Sequence, residues 1–222
     1  MIKKIIDKCK SFGWILEPYA NELLKHYNIN VPDYIFTNNV SDALDFAEKT
    51  GYPLVCKVVS PEIIHKSDVG GVIIGIDNNN SLENAFNNLI KLKGAIGVIV
   101  EKMVNGLELI IGGKNDFQFG PVVITGMGGI GVEIYNDTAI RMAPLNEKDV
   151  DSMLKSLKFY RILKGYRGKE GINLEKLKNT LINFSKMLMD LEIYFESIDL
   201  NPVICSKENC YVADARIILK KD

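Results

Sequence analysis

The chain has 222 residues, 47% of them apolar and 25% charged, with a formal net charge of −1. That balance fits one large or two small globular domains with a sizeable core. It gives no basis for broad electrostatic binding to nucleic acid or a membrane. No run approaches the roughly 18 apolar residues of a bilayer span, and Met1 to Asp7 holds no long apolar signal core, so a soluble cytoplasmic protein is expected.

Residues 15–27 are predicted as an amphipathic helix, with Leu16, Tyr19, Ala20, Leu23, Leu24 and Tyr27 at helical spacing. Pro32 ends it, because the residue before a proline avoids the helical region. A short strand over 34–37 precedes a helix capped by Ser41 and stopped by Gly51. Residues 54–59 read as an apolar strand and 72–76 as its return strand. Ser81 is expected to cap a helix running to about Leu92. A strand over 96–103, a connector to Gly106 and a strand over 107–112 read as a hinge, dividing the chain into 1–103 and 104–222. Further strands are predicted over 122–125, 132–135 and 138–143, a turn at Asn136-Asp137, and helices after Asn146 and over 174–191. A hairpin of 196–203 and 211–217 closes the chain.

The four cysteines, Cys9, Cys56, Cys205 and Cys210, lack metal-ligand spacing. Cys56 alternates with Leu54 and Val58 and is expected to be a buried thiol. Cys205 and Cys210 face each other across the predicted hairpin, so a disulfide is geometrically open to them. Reduced thiols are the expectation in a chain without an export signal.

The first chemistry lies between Gly51 and Gly75. Val55, Lys57 and Val59 share one strand face, and a lysine among valines is not a solvent-face pattern. It reads either as an edge-strand lysine that snorkels or as a cation for nucleotide phosphates. A polar loop with His65, Lys66, Ser67 and Asp68 follows and closes on Gly70-Gly71. Backbone N–H groups without side chains in the way can approach phosphate oxygens closely. His65 is the only histidine in such a setting; His26 sits in an amphipathic helix and reads as structural. Gly126-Met127-Gly128-Gly129-Ile130-Gly131 is not a dinucleotide fingerprint, because a strand pattern rather than a helix follows it. Those glycines admit close backbone approach, to phosphate or within the sheet.

The second chemistry is Ser197-Ile198-Asp199-Leu200-Asn201-Pro202. A strand places Asp199 and Asn201 on one face, and the hairpin lets Asp214 converge on Asn201. Hard oxygen donors in small number suit Mg²⁺, whose octahedron is completed by phosphates and water. The alternative is a polar turn closed by Asn-Pro.

The runs Lys57-Val58-Val59-Ser60-Pro61 and His65-Lys66-Ser67-Asp68-Val69-Gly70-Gly71-Val72 resemble the signature of the β subunit of ADP-forming acetyl-CoA synthetases, within the ATP-grasp family. The likeness extends from about Leu16 to Ile218, and Leu163-Lys164-Gly165-Tyr166-Arg167-Gly168 resembles a turn of the same family. The resemblance implies an α+β ATP-grasp fold, two lobes with mainly antiparallel sheets clamping a nucleotide. It implies phosphate contacts from Lys57, Ser67, Gly70 and Gly71. It implies adenine contacts from Glu101, Met103 and Val104, and a ribose contact from Glu108. Arg141 is implied near the phosphates, with a structural ion pair as the equal alternative. Asp199, Asn201 and Asp214 would hold Mg²⁺. For Glu101 and Glu108 a solvated carboxylate is the competing reading.

The family runs its reaction through a phosphohistidine on a partner subunit, so His65 would meet that group or carry it briefly itself. The implied reaction turns acyl-CoA, ADP and phosphate into acid, CoA and ATP. The sequence shows no CoA-binding fingerprint, which implies a separate CoA-binding α subunit in an α₂β₂ assembly. Two other readings are kept: a stand-alone ATP-grasp ligase acting through an acylphosphate, and a nucleotide-sensing subunit without chemistry.

Overall fold

The computed structural model describes residues 1–129 and 137–220. The predicted strand 132–135, Gly131 and Asn136 lie outside them. Ile2, Ile5, Ile6 and Cys9 fall on one stripe and form helix α1 (Ile2–Cys9), which buries Ile5, Ile6 and Cys9. A strand of two residues, β1 (Trp14–Ile15), leads into α2 (Glu17–His26). Neither α1 nor β1 is among the elements predicted from sequence.

The chain divides into two units, one formed by Leu16–Pro18 with Pro32–Val104, the other by Met1–Ile15, Tyr19–Val31 and Asn105–Asp222. Most of the segment before residue 32, assigned from sequence to the first part, therefore packs with the later residues.

The unit containing Pro32–Val104 is a four-stranded antiparallel sheet with two helices. Its elements are β2 (Tyr34–Thr37), α3 (Val40–Thr50), β3 (Leu54–Val59), β4 (Val72–Ile76), α4 (Asn79–Leu89) and β5 (Gly97–Lys102). The strand order is β2-β5-β3-β4. Along β3, Leu54, Cys56 and Val58 join Ala43, Ala47, Phe86, Leu89 and Val100 in one core. Alternation then sends Val55, Lys57 and Val59 to the opposite face. β3 is central, which removes the edge-strand reading of Lys57.

The helix starts are capped two and three residues earlier than expected, by Asn39 rather than Ser41 and by Asn78 rather than Ser81. Asn39 accepts from the Ser41 N–H at 3.0 Å, and Asn78 accepts from the Ser81 N–H at 2.9 Å. Asparagine oxygen reaches such a donor as well as serine does, and it stands first in the chain. Burial pushes the Cys56 thiol up to about 12, with the nearby Glu101 adding to it, so the expected buried thiol is present.

At the other end of α3, Lys102 Nζ lies 3.3, 3.2 and 3.2 Å from the carbonyl oxygens of Thr50, Gly51 and Tyr52. A lysine there satisfies carbonyls that the helix leaves without partners. Lys102→Met is expected to lower stability by about 1–2 kcal/mol, read from the urea midpoint. An unchanged midpoint would show that the contact contributes nothing.

The other unit is built on a seven-stranded antiparallel sheet, order β1-β13-β11-β6-β7-β8, with β12 paired to β11. Its strands are β6 (Leu107–Asp116), β7 (Gly120–Met127), β8 (Thr138–Met142), β11 (Phe195–Cys205), β12 (Cys210–Val212) and β13 (Ala215–Leu219). Helices α5 (Glu147–Ser156), α6 (Tyr160–Leu163) and α7 (Leu174–Leu191), and a small hairpin of β9 (Gly165–Tyr166) and β10 (Lys169–Glu170), complete it. Asn146 caps α5 as expected and forms a reciprocal capping box with Asp149. α7 buries Leu177, Leu181, Phe184, Leu188 and Leu191.

Cys205 and Cys210 occupy directly opposed positions of the β11–β12 hairpin, and the structure joins them as a disulfide. The expectation of reduced thiols is corrected by that register. Among the described residues, no helix is long and apolar enough to cross a membrane.

Candidate functional site

In the unit of Pro32–Val104, the sheet face opposite the helices holds a chain of alternating charge. Lys57 Nζ is 2.7 Å from Glu101 Oε1 and 3.0 Å from Glu17 Oε1, and Lys66 Nζ is 2.9 Å from Glu17 Oε2. The last contact is an ion pair. All four residues are buried: Glu17 is 2% exposed, Glu101 3%, Lys57 4% and Lys66 7%. Burial alone would push the Glu17 carboxyl upward, but the charges of Lys57 and Lys66 outweigh it and hold it below its ordinary value. Among these four described residues two carboxylates and two ammoniums balance, which makes their burial more tolerable.

Two expectations change here. Glu101 is not a solvated strand-end carboxylate; it is buried inside β5 and takes Lys57. Glu17, which sequence reasoning passed over, is central. Its signal was available as an acidic residue directly after Trp14-Ile15-Leu16, all three buried. Its partners, however, lie far along the chain.

The loop after β3 carries the other candidates. Ser67–Val69 is one turn of 3-10 helix. Gly70 follows with φ +66°, a left-handed conformation that favours glycine. Gly71 is demanded by space instead, because a Cβ there would come within 2.8 Å of the Lys66 carbonyl oxygen and 2.7 Å of Val58. Both the Gly71 and Val69 N–H groups donate to the Lys66 carbonyl, at 2.7 and 3.3 Å. His65 and Ser67 are exposed on this loop, while Lys66 between them turns inward. Past β5, the Met103 N–H donates to the Pro53 carbonyl at 3.1 Å. Met103 and Val104 are half-buried.

In the other unit, strand register fixes which residues share a face. Arg216, Asp199, Gly112, Ile124 and Ile140 are successive cross-strand partners and so line one face. Asn201, two residues on, joins Asp199, and its N–H donates to the Asp214 carbonyl at 3.1 Å. The Asn201 and Asp214 backbones are therefore adjacent, with Asp199 on the same strand as Asn201. Burial raises the Asp199 carboxyl; Arg216, 3.6 Å away, opposes this, and Asp214 adds to it. A carboxylate raised by burial and by a second carboxylate, beside an amide, forms a donor set that a hard divalent cation relieves, so the residues fit Mg²⁺.

Arg141 is not brought to this group. Its partner is Val123, on the opposite face, and its guanidinium donates to Ser152 Oγ of α5 at 3.0 Å and to the Ile140 carbonyl at 2.7 Å. The strand's alternation thus turns it to the helix side. Glu108 is exposed beside Gly129, and the Gly128 N–H donates to the Glu108 carbonyl at 2.8 Å. A Cβ on Gly128 would lie 2.9–3.0 Å from the Glu108 backbone, so that glycine serves close approach within the sheet.

A lysine-bearing strand, a glycine-closed loop and an acidic Asn-Pro hairpin define an ATP-grasp protein, and the ATP-grasp domain family matches residues 10–219. The chain is 38% identical to the acetate–CoA ligase [ADP-forming] I subunit beta of Pyrococcus furiosus, over 98% of its length and 97% of that protein. It is also 38% identical to acetate–CoA ligase [ADP-forming] I of Archaeoglobus fulgidus, over 99% of this chain but 33% of that protein. Acetyl-coenzyme A synthetase 1 of Ca. Korarchaeum cryptofilum, solved with coenzyme A and Ca-AMPCP, superposes with a TM-score of 0.91 at 36% identity, covering 99% of this chain and 100% of that one. A second structure of that enzyme holds Mg-AMPPCP, with its phosphohistidine segment pointing towards the nucleotide-binding site; it matches with a TM-score of 0.86 at 36% identity, over 98% and 99% of the two chains. The chain belongs to the ATP-grasp family of ADP-forming acetate–CoA ligase β subunits, and it is a subunit of a ligase.

Proposed function

We propose that this chain passes a phosphoryl group between a phosphohistidine and ADP or ATP, within the reversible conversion of acyl-CoA, ADP and phosphate to acid, CoA and ATP. The observation that carries the reading is the buried Lys57, linked through Glu17 to Lys66 of the loop from His65 to Gly71. Such transfers are catalysed mainly by positioning and by charge placed around the moving group. Lys57, Ser67, Gly70 and Gly71 hold phosphates. Glu101, Met103 and Val104 hold the adenine, and Glu108 the ribose. The division near residue 104 separates these base and phosphate contacts from Glu108 and the metal ligands. Asp199, Asn201 and Asp214 would hold Mg²⁺, which when bound offsets charge on the nucleotide phosphates.

His65 receives the phosphoryl group or faces it as it arrives. On transfer, the bond from histidine nitrogen to phosphorus breaks, a bond from the terminal ADP oxygen to phosphorus forms, and the imidazole takes up a proton. The phosphohistidine belongs to a CoA-binding α subunit, in an α₂β₂ assembly working in the cytoplasm. The longer Archaeoglobus relative supports a partner, because this chain matches only a third of it. The Mg-AMPPCP structure of the Korarchaeum enzyme supports the direction of the relay.

The test is incubation with γ-labelled ATP and Mg²⁺, with and without the α partner. Acid-labile, base-stable label is expected on the partner, falling roughly 10³-fold or more with His65→Ala. Nucleotide binding without protein-bound label would overturn the relay in favour of a sensing subunit or a direct ligase.

A further inference from the structure

Of the buried charge chain, Glu17, like Lys66, is a residue for which the relay assigns no task. It sits at the start of α2, after Ile15 and Leu16, which are 0% and 2% exposed. An acid in such surroundings is rare unless paired, and this one is paired twice. One oxygen takes Lys57, 40 residues away, at 3.0 Å, and the other faces Lys66 at 2.9 Å. The same carboxylate thus touches the strand that presents Lys57 and the loop that presents His65.

Lys66 is the footing of that loop. Glu62, Ile64, His65, Ser67, Asp68, Val69 and Gly70 are all exposed; Ile63, Lys66 and Gly71 are the loop residues that turn inward. The Lys66 carbonyl closes the loop by accepting from Val69 and Gly71, and the Gly71 carbonyl in turn accepts from the Val58 N–H of β3 at 2.9 Å. The side chain of Lys66 points away from the exposed residues and onto Glu17. Among the described contacts, the Lys66 ammonium ties the stretch from His65 to Gly71 to the Glu17 carboxylate, so that carboxylate helps set the position of the loop.

We propose that Glu17 is the positioning residue of the phosphoryl-transfer loop: its carboxylate, shared between Lys57 and Lys66, fixes His65 relative to Lys57. This rests on the reading that His65 and Lys57 act on the same phosphoryl group. Misplacement of a reacting group by an ångström lowers rates by roughly 10²-fold, so a residue that never touches substrate can control the step.

The competing account is that Glu17 only neutralises two buried lysines. Two variants separate them, assayed in the complex with the α subunit. Glu17→Gln keeps the shape and removes the charge. Glu17→Gln with Lys66→Met removes one charge of each sign and leaves the Lys57–Glu101 pair balanced, so it folds even if the single variant does not. For Glu17→Gln, kcat of phosphoryl transfer is expected to fall roughly 10–100-fold, with KM for nucleotide little changed. Hydrogen exchange at Val69, Gly70 and Gly71 should rise at least about tenfold while the β3 and β5 amides stay protected. The double variant is expected to regain thermal stability but neither the lost kcat nor the loop protection. Wild-type kcat and exchange in either variant would overturn the proposal. If the parent complex itself transfers no phosphoryl group, the functional reading fails instead, and the exchange data still decide whether Glu17 holds the loop.

Discussion

Lys57→Met is expected to abolish phosphoryl transfer and to lower stability by about 3–5 kcal/mol. The lysine lies 2.7 Å from Glu101 and 3.0 Å from Glu17, at the centre of a buried group whose charges cancel. Without it, Glu101 and Glu17 each lose an ammonium while Lys66 stays on Glu17, so the buried site becomes more negative by one charge. The loss should depend on pH in a defined direction. In the parent, the Glu17 carboxyl is held below its ordinary value of 4.5, since Lys57 and Lys66 outweigh the upward push of burial. Its stabilising contribution is complete above that pH and is lost as pH falls through the lowered folded value. In the variant, loss of the Lys57 charge leaves burial to act more strongly on the carboxyls that faced it, and a carboxyl so pushed above its unfolded value behaves oppositely. Its contribution is then intact below about pH 4.5 and lost as pH rises through the raised folded value. The deficit between variant and parent should therefore be smaller at pH 5 than at pH 8, as measured by urea unfolding. An equal deficit at both would show that packing rather than charge is lost. Adding Glu101→Gln should restore much of the stability and none of the transfer.

Asp214→Asn is expected to weaken binding of Mg-nucleotide by roughly 10–100-fold and to lower transfer with it. Residual binding in chelator should not change. Asp214 Oδ1 accepts the Ala215 N–H at 3.0 Å, a bond that asparagine can also make, so the hairpin should survive. Asp214 helps raise the buried Asp199 carboxyl, so removing that charge should leave the metal-free protein as stable as the parent or slightly more so. Titration calorimetry with and without Mg²⁺ separates the two effects. Equal weakening in chelator would mean that Asp214 holds the nucleotide or the fold rather than a cation.

Short-range pattern carried much of this protein. Alternation over Leu54 to Val59 placed Lys57 away from the helix-covered core. The Gly70-Gly71 pair marked a loop that needs one residue for its φ and the next for its space. Asp199, Asn201 and Asp214 were read onto one hairpin, and register puts them there. These are matters of neighbouring residues, where the two-residue period of a strand and the geometry of a turn leave few choices.

What adjacency does not encode was decided by tertiary structure. Pairing of Trp14 and Ile15 with Ile218 and Ile217 carries the first residues into the sheet of the last ones. Arg141 is turned to α5 because its position opposite Val123, set by the pairing of β7 and β8, puts it on the helix side. Glu17 becomes the partner of Lys57 and Lys66 because burial leaves two cations needing a counter-charge, and the packed chain brings the start of α2 to them. Sequence determined which residues could carry charge and which faces they would occupy. Only the fold determined which opposite charge each would meet, since Coulomb energy depends on distance and on exclusion of water, and both are products of packing.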